Sequence, residues 1–191
     1  MNPYRQRVWN SLAPLLEELD DVKTVLDYGS GDGWFTRQIR DAGFAEIAAL
    51  EVQARPDAFF EPQLFDGRRI PFGDRAFDLV YSVDVLHHCP RPARQLDEML
   101  RVCGRFLLLK DHTYSTPLGK LALCAMDEVG NRRFGIPSLY RYQRGWEWAR
   151  QIERAGFSCR DFAHPAPCHQ GALGRATNAL QWIGLWERCA P

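Results

Sequence analysis

The chain has 191 residues, of which 46% are hydrophobic and 25% charged, a composition typical of a globular domain with its own hydrophobic core. Its 24 basic residues balance 24 acidic ones, so it has no overall positive charge with which to bind nucleic acid or an anionic membrane. No apolar run approaches the roughly 20 residues that span a bilayer, and the first residues lack the apolar core of a signal peptide. We therefore expect one cytoplasmic domain, residues 1–191, that binds neither nucleic acid nor membrane.

The first region, residues 1–21, is predicted to form a helical cap. Residues 4–20 carry apolar side chains at helical spacing, and Pro14 is expected to kink this helix or to divide it into two. Such a helix is either a lid over a ligand or a packed part of the domain. An apolar stripe favours the packed cap.

The most informative stretch is TVLDYGSGDG, residues 24–33. Its first four residues, three β-branched or apolar residues followed by Asp27, predict a short buried strand. After Gly33, the apolar side chains have helical spacing. Residues 27–33, here called the glycine turn, therefore join a strand to a helix. Because glycines lack a Cβ and the amide groups at a helix start are unpaired, this turn is expected to bind a ligand.

Spacing selects among the ligands of the glycine turn. A dinucleotide fingerprint, GxGxxG, requires a glycine where Trp34 stands, and a phosphate-binding P-loop requires Lys and Ser or Thr where Trp34 and Phe35 stand. The pattern DxGxGxG instead resembles motif I of the class I S-adenosylmethionine-dependent methyltransferases. In that family the turn bends around the methionine part of the cofactor, so the resemblance implies S-adenosyl-L-methionine.

Two carboxylates follow the next predicted strands. Residues 47–52 predict the second strand, and Glu51 at its carboxyl end can accept hydrogen bonds from both ribose hydroxyls, although an isolated glutamate there would simply be solvated. Asp66 ends a short third strand. The resemblance implies that Asp66 accepts the adenine amino group and that the backbone of residues 67–68 meets the ring edge. The alternative for Asp66 is an Asx turn.

The fourth predicted strand, residues 76–82, is followed by the sequence LHH. By the resemblance, Val83 and Asp84 lie under the methionine end of the cofactor, and His87 or His88 is a candidate proton acceptor because imidazole titrates near neutral pH. We expect no metal site. Adjacent side chains diverge, and no carboxylate or third histidine lies at ligand spacing nearby along the chain.

Residues 105–109, Arg105 followed by four apolar residues without interruption, predict a central parallel strand, with Lys110, Asp111 and His112 at its carboxyl end. These three residues are either part of the reaction site or a surface charge cluster. For the reaction site, Asp111 is expected to orient His112, which is the first candidate for the general base, and His87 is the second.

Residues 113–145 interrupt the alternation of strands and helices and are predicted to cover the substrate. A helix over 118–129 is expected to stop at Gly130 and Asn131. The region also contains Tyr114, Tyr140 and Tyr142, and these side chains either line a pocket or belong to the core.

A helix over 146–155 and strands over 157–163 and 181–188 complete the predicted elements. Their order favours a doubly wound α/β fold, a Rossmann-like three-layer αβα arrangement with a seven-stranded, mostly parallel sheet. Between the last strands, His164, Cys168 and His169 are close in sequence, and an irregular loop is favoured over a metal site because prolines intervene and a fourth ligand is missing.

The resemblance implies an enzyme that transfers a methyl group to a small-molecule acceptor, as a monomer or homodimer. Two alternatives stay open: a non-catalytic S-adenosylmethionine- or nucleotide-binding module that acts as a partner subunit, and an oxidoreductase on a degenerate dinucleotide fold, against which Trp34 argues. The predicted cofactor-binding residues are Asp27, Gly29, Ser30, Gly31, Gly33, Glu51, Val52, Asp66, Gly67, Val83 and Asp84, and the predicted catalytic residues are His112, Asp111 and His87.

Overall fold

The computed structural model of the protein describes residues 2–56, 58–131 and 138–190. Strands and helices alternate along most of this length. The helices are α1 (Pro3–Glu17), α2 (Trp34–Asp41), α3 (Pro92–Val102), α4 (Pro117–Asn131), α5 (Glu147–Arg154) and α6 (Gly171–Thr177). The strands are β1 (Thr24–Tyr28), β2 (Glu46–Glu51), β3 (Gln63–Leu64), β4 (Phe77–Val83), β5 (Cys103–Tyr114), β6 (Gln143–Arg144), β7 (Phe157–Ala163) and β8 (Gln181–Arg188).

The sheet has the strand order β3-β2-β1-β4-β5-β8-β7, and β6 pairs with the end of β5. The first five strands of this order are parallel, whereas β8 runs antiparallel to both β5 and β7. This confirms the doubly wound, mostly parallel sheet. The chain leaves β1 towards β2 on one side and returns to β4 on the other, so the switch point at which such sheets bind ligands lies at the carboxyl ends of β1 and β4.

Two apolar clusters cover the two faces of the sheet. Val25 and Leu26 are neighbours on β1, and their side chains point to opposite faces, as strand geometry requires. Leu26 belongs to the cluster beneath α3 and α5, and Val25 belongs to the cluster beneath α1 and α2. The molecule thus has three αβα layers, and each leucine buried in them stabilises the fold by about 1.5–3 kcal/mol.

Helix α1 is one continuous helix. The side chain of Asn2 caps it by accepting a hydrogen bond from the Tyr4 amide at 3.0 Å, and Pro14 lies inside it, so the predicted division into two helices was wrong. Val8, Leu12 and Leu16 are buried on one face. This packing agrees with a cap on the domain. Within the described residues, no helix is long and apolar enough to cross a membrane.

Three element boundaries differ from the sequence-based expectation. Strand β5 is much longer than predicted, so Lys110, Asp111 and His112 lie inside it rather than after it, because β8 pairs with it as far as His112. Strand β3 ends at Leu64, before Asp66. Helix α4 includes Gly130 and Asn131, the residues at which it was predicted to stop, and Asn131 is its last described residue. The part of the predicted cover at 132–137 lies outside the described residues.

Candidate active site

The glycine turn lies at the carboxyl end of β1. Gly29, Gly31 and Gly33 have φ values of +78°, +61° and +75°, which side chains with a Cβ rarely adopt. A Cβ on Gly29 would lie 2.4 Å from a methyl carbon of Val85, and a Cβ on Gly33 would lie 2.8 Å from the backbone nitrogen of Phe60. The turn therefore needs glycine for both its conformation and its close contacts.

Glu51 connects the end of β2 to this turn. One carboxylate oxygen accepts a hydrogen bond from the Gly31 amide at 2.9 Å, and the other accepts one from the Val52 amide at 2.7 Å. The Arg55 guanidinium also lies against the turn, 3.4 Å from where a Cβ of Gly31 would be. Since Glu51 is only half-buried, its remaining lone pairs can reach a ligand in the turn.

Val52, Asp66 and Gly67 lie farther along the same edge. Val52 is 59% exposed although it is apolar, and a Cβ on Gly67 would come within 3.2 Å of its Cγ1. Asp66 accepts hydrogen bonds from the amides of Arg68 at 2.8 Å and Arg69 at 3.4 Å, and the Arg68 bond holds the pKa of Asp66 below its usual value. The Asx-turn interpretation of Asp66 is thus what the structure shows. Its contact with adenine stays a prediction.

Asp27 and Ser30 differ from the other predicted contacts because both are buried. The Asp27 carboxylate lies beneath the turn, where it accepts a 2.5 Å hydrogen bond from the Thr36 hydroxyl. Burial raises the pKa of Asp27 to about 7, and the Thr36 bond partly offsets this shift. Asp27 therefore supports the turn from inside. The Ser30 hydroxyl is buried and has no hydrogen-bond partner within the described residues.

The other side of the switch point carries five ionisable residues, here called the buried cluster: Asp84, His87, Lys110, Asp111 and His112. Lys110, Asp111 and His112 are only 1%, 2% and 7% exposed, so the alternative of a surface charge cluster was wrong. They are buried because β5 is central and β8 covers its far edge. Burying charged groups is costly unless they are paired, so their partners decide what the cluster can do.

Asp84 and Lys110 form one of these pairs. Asp84 directly follows β4 in a left-handed conformation, φ +57°, and one of its oxygens accepts a hydrogen bond from the Lys110 ammonium. The Tyr4 hydroxyl of α1 donates to the other oxygen at 2.6 Å, and Lys110 donates to the Gln181 side chain at 2.6 Å. Burial raises the pKa of Asp84, but the Lys110 ammonium and other nearby groups lower it by more than burial raises it, so this carboxyl stays ionised. Tyr4 is a contact that sequence reasoning missed.

Asp111 is paired with His87 rather than with His112. The distance from Asp111 Oδ1 to His87 Nδ1 is 2.6 Å, and the Leu86 amide donates to Asp111 Oδ2 at 3.1 Å. His112 gives Asp111 a backbone hydrogen bond, but its ring Nδ1 is 3.5 Å from both Asp111 and Asp84. Asp111 therefore holds the His87 ring more closely than the His112 ring, and its orientation of His112 stays a prediction. Within the described residues, His112 Nδ1 has no hydrogen-bond partner.

The protonation of the two histidines follows from their neighbours. Burial and the nearby Lys110 ammonium both lower the pKa of His112, so its ring is neutral at pH 7. Burial also lowers the pKa of His87, but the Asp111 and Asp127 carboxylates raise it by more than burial lowers it. The pKa of His87 therefore lies above its usual value. The buried cluster thus places a neutral imidazole beside one that favours its charged form.

Helix α4 and the residue before β6 bring further groups to the buried cluster. Asp127 Oδ1 lies 3.7 Å from His87 Nε2, and Tyr142 donates a 2.5 Å hydrogen bond to Asp127 Oδ2. The rings of His87 and His88 are 4.0 Å apart. The premise that adjacent side chains diverge was therefore wrong here, and the fold brings in a distant carboxylate, Asp127, that spacing along the chain did not reveal. The sequence signal for Asp127 was the pair of acids, Asp127 and Glu128, that interrupts the apolar stretch LALCAMDEV.

The other residues named for the cover or for a metal site lie elsewhere. Tyr140 donates to Glu128, and Tyr114 is half-buried near Lys120. His164 contacts the Ala179 carbonyl and His169 contacts the Thr177 hydroxyl, so each has its own partner. A concavity of about 710 Å³ lies between α1 and the end of α2, at the amino end of β1, and no predicted site residue lines it.

A doubly wound sheet with a glycine turn at its switch point and an acid at the end of β2 defines an α/β protein that binds a cofactor along this edge. Residues 1–162 match the family described as a methyltransferase domain. The chain therefore belongs to this family, the class I S-adenosylmethionine-dependent methyltransferases.

Individual relatives agree with this family. An uncharacterized methyltransferase of Mycobacterium tuberculosis is 35% identical over 107 residues, which are 51% of this chain and 42% of that protein. The chain thus spans less than half the length of this relative. A sarcosine/dimethylglycine N-methyltransferase of Halorhodospira halochloris is 24% identical over 89% of this chain and 65% of its own length. A methyltransferase structure from Mesorhizobium loti has a TM-score of 0.70 at 16% identity, covering 95% of this chain and 98% of that one.

The residues present fit the cofactor that this family uses. The glycine turn forms a cradle that a Cβ would fill, the Ser30 hydroxyl is an orphaned buried donor, and Glu51 faces the turn with free lone pairs. An unpaired buried polar group is costly, so a ligand that bonds to Ser30 would remove that cost. The exposed apolar surface of Val52 suits the flat face of an adenine ring.

Proposed function

We propose that the protein transfers a methyl group from S-adenosylmethionine to a small-molecule acceptor with an ionisable oxygen or nitrogen. When bound, the cofactor supplies an electrophilic methyl group on its sulfonium. The protein then has to hold the acceptor atom in line with that methyl group and to remove a proton from it.

The glycine turn and Ser30 would hold the methionine part, and Glu51 would accept hydrogen bonds from the ribose. Val52, Asp66 and Gly67 would enclose the adenine ring. Val83 and Asp84 would lie beneath the reacting end, where the pair with Lys110 keeps the Asp84 carboxylate fixed. A fixed carboxylate next to a sulfonium would also stabilise its positive charge.

The proposal depends on the unpartnered Nδ1 of His112. This nitrogen belongs to a neutral imidazole, so it can accept a proton from an acceptor hydroxyl or ammonium group. His87 cannot do so equally well, since its Nδ1 is already hydrogen-bonded to Asp111. We therefore assign to His112 the role of the general base that removes the proton from the acceptor. Asp111 is the positioning residue for His87.

Enclosure supports a small acceptor. Tyr4 of α1 lies on Asp84 and Lys110, and Tyr142 and Asp127 lie beside His87, so the buried cluster is covered from two parts of the chain. A macromolecule would have to displace both of these parts. The N-methyltransferase relative, whose name gives sarcosine and dimethylglycine as its substrates, supports small acceptors in the same family.

A methyl-labelled cofactor tests the proposal. A cell extract is divided by ultrafiltration into small molecules and macromolecules, and each fraction is incubated with the protein and S-adenosylmethionine that carries a tritiated methyl group. We expect label to appear in the small-molecule fraction in proportion to enzyme and time. Label confined to macromolecules would contradict the small acceptor. Binding of S-adenosylhomocysteine without transfer to either fraction would favour the non-catalytic module.

A further inference from the structure

His87 lies between two carboxylates that are far apart in sequence. Its Nδ1 lies 2.6 Å from Asp111 Oδ1, so one of these two atoms carries the proton of a hydrogen bond. When Asp111 is ionised, that proton is on His87 Nδ1. The other ring nitrogen, Nε2, faces Asp127 Oδ1 at 3.7 Å, which is too long for a hydrogen bond. Nε2 and Asp127 Oδ1 are thus two potential ligand atoms that face each other in a buried place, where either a proton on Nε2 or a metal ion would lie between them.

His88 completes this arrangement. Its ring lies 4.0 Å from the His87 ring, and its Nδ1 is buried without a hydrogen-bond partner within the described residues. One potential ligand atom from each of His87, His88 and Asp127 lies within 4.8 Å of the others. Two ligands bound to one tetrahedral Zn²⁺ ion are about 3.4 Å apart, so the 3.7 Å between His87 and Asp127 already suits a shared ion.

We propose that His87, His88 and Asp127 bind a divalent transition-metal ion of the Zn²⁺ type. Two imidazoles and one carboxylate are the ligand set of zinc and non-haem iron sites, whereas Mg²⁺ and Ca²⁺ prefer oxygen ligands alone. Three protein ligands leave one position of a tetrahedral ion open. This is the coordination of catalytic rather than structural zinc sites.

The surroundings of the three ligands support the same assignment. Asp111 accepts from His87 Nδ1, which directs the Nε2 lone pair towards the ion, and Tyr142 fixes the second oxygen of Asp127. Metal-binding histidines in proteins usually carry such a carboxylate partner. The two supports come from Asp111 on β5 and from Tyr142, which directly precedes β6, so the ligands are held by separate parts of the chain.

The His87 ring is 4.7 Å from the ring of His112, so an ion bound to His87 would lie near the proposed base. An acceptor oxygen or nitrogen bound to the ion would lose its proton more easily. This role of the metal ion, helping the acceptor to lose its proton, rests on the proposed methyl transfer. Metal binding itself does not.

Zinc binding by the full chain tests the proposal. The protein is treated with a chelator, desalted and titrated with Zn²⁺ in competition with a chromophoric chelator. We compare the parent with His88→Gln and Asp127→Asn, and use His164→Gln as a matched control because this histidine is exposed and lies outside the three ligands. We expect one tight equivalent in the parent and the control, and at least about tenfold weaker binding in both ligand variants.

Asp111→Asn tests the positioning role separately. It keeps the size of the side chain, so we expect it to retain the site but to weaken zinc binding about 10–100-fold. Circular dichroism and thermal unfolding of each metal-free variant establish that it is folded. For a variant that does not fold, Co²⁺ added to the parent gives a second test, since a tetrahedral site produces strong visible absorption.

Equal zinc affinity in the parent, His88→Gln and Asp127→Asn would overturn the proposal, as would the lack of a tight equivalent in the parent or an octahedral cobalt spectrum. A proton would then occupy the space between His87 and Asp127. S-adenosylhomocysteine binding is measured on the same samples with and without chelator. Because that cofactor product is held by other residues, its binding shows whether the proposed function fails together with the metal site or independently of it.

Discussion

The two sides of the switch point use different physical means to form one site. On the β1–β2 side, backbone amides, glycines and half-exposed carboxylates leave room for a ligand, and the exposed side chains include Val52 and Asp66. On the β4–β5 side, charged side chains are largely enclosed and several are paired, as Lys110 is with Asp84, whereas the Nδ1 atoms of His88 and His112 have no partner within the described residues. The first side recognises shape, whereas the second depends on charges held in fixed positions.

This difference predicts where substitutions act. On the first side, a change at a half-exposed side chain such as Glu51 should affect cofactor affinity more than folding, whereas Asp27 and Gly33, which support the turn from inside, should also affect stability. On the second side, a change should affect stability or the reaction, because each removed group leaves another buried charge or donor unpaired.

His112→Gln should have the largest effect. Glutamine keeps the polarity of the site but cannot accept the proton, so we expect methyl transfer to fall about 10²- to 10⁴-fold while S-adenosylhomocysteine affinity changes little. Initial rates with labelled cofactor measure the loss, and His164→Gln serves as the control. A rate in His112→Gln within a few-fold of the parent would remove the assignment of the base.

Lys110→Met should be the most destabilising of the substitutions considered. It leaves the Asp84 carboxylate and the Gln181 side chain without their buried cation, and removing one partner of a buried pair costs about 3–5 kcal/mol. Urea unfolding measures this free energy. Lys120→Met, an exposed lysine on α4, is the control and should change stability by less than about 0.5 kcal/mol. Similar losses in both variants would contradict the difference between the two sides.

Asp27→Asn should change how stability depends on pH. The pKa of Asp27 is about 7 in the folded protein, well above its usual value near 3.8, so the folded state binds more protons than the unfolded state between these values. Its contribution to stability therefore decreases as pH rises from about 4 to 7. Asparagine keeps an acceptor for Thr36 and does not titrate, so relative to the parent it should gain up to about 4 kcal/mol over this range. A pH-independent difference would contradict this.

Gly33→Ala should have the smallest effect on stability. Gly33 and Gly43 both have positive φ, but only at Gly33 would a Cβ meet Phe60, whereas at Gly43 nothing lies within 4 Å. Gly43→Ala thus measures the backbone strain alone. We expect Gly33→Ala to lose about 1–3 kcal/mol more than Gly43→Ala, and to bind S-adenosylhomocysteine more weakly. Equal losses of stability in the two variants would show that Phe60 moves away from the added Cβ without destabilising the protein.

The β1–β2 side could be predicted from sequence because its signals are local. The glycine turn and Glu51 lie within 25 residues, and their function depends on backbone conformation, which a spacing pattern reveals. Strands β7 and β8 were also predicted at their observed bounds, since their apolar residues and flanking turns are strong signals. The class of fold followed from the order of such elements.

The β4–β5 side was less predictable because its contacts are long-range. The apolar run of β5 appeared to end at Leu109, and only pairing with β8 shows that the strand continues through three ionisable residues. The Tyr4 contact spans 80 residues to Asp84, and Asp127 reaches His87 from a region with no matching motif. No spacing along the chain encodes these contacts, since they depend on how separate elements pack.

Calorimetric titration with S-adenosylhomocysteine tests the central claim, that the glycine turn and Glu51 bind this cofactor. We expect one site in the parent, about 10- to 100-fold weaker binding in Glu51→Ala, and unchanged binding in Glu46→Ala, an exposed glutamate on the same strand. A 2′,3′-dideoxy analogue should bind both the parent and Glu51→Ala weakly, because it lacks the hydroxyls that Glu51 accepts. Equal affinity of the parent and Glu51→Ala for the full ligand, or no binding by the parent, would contradict the account.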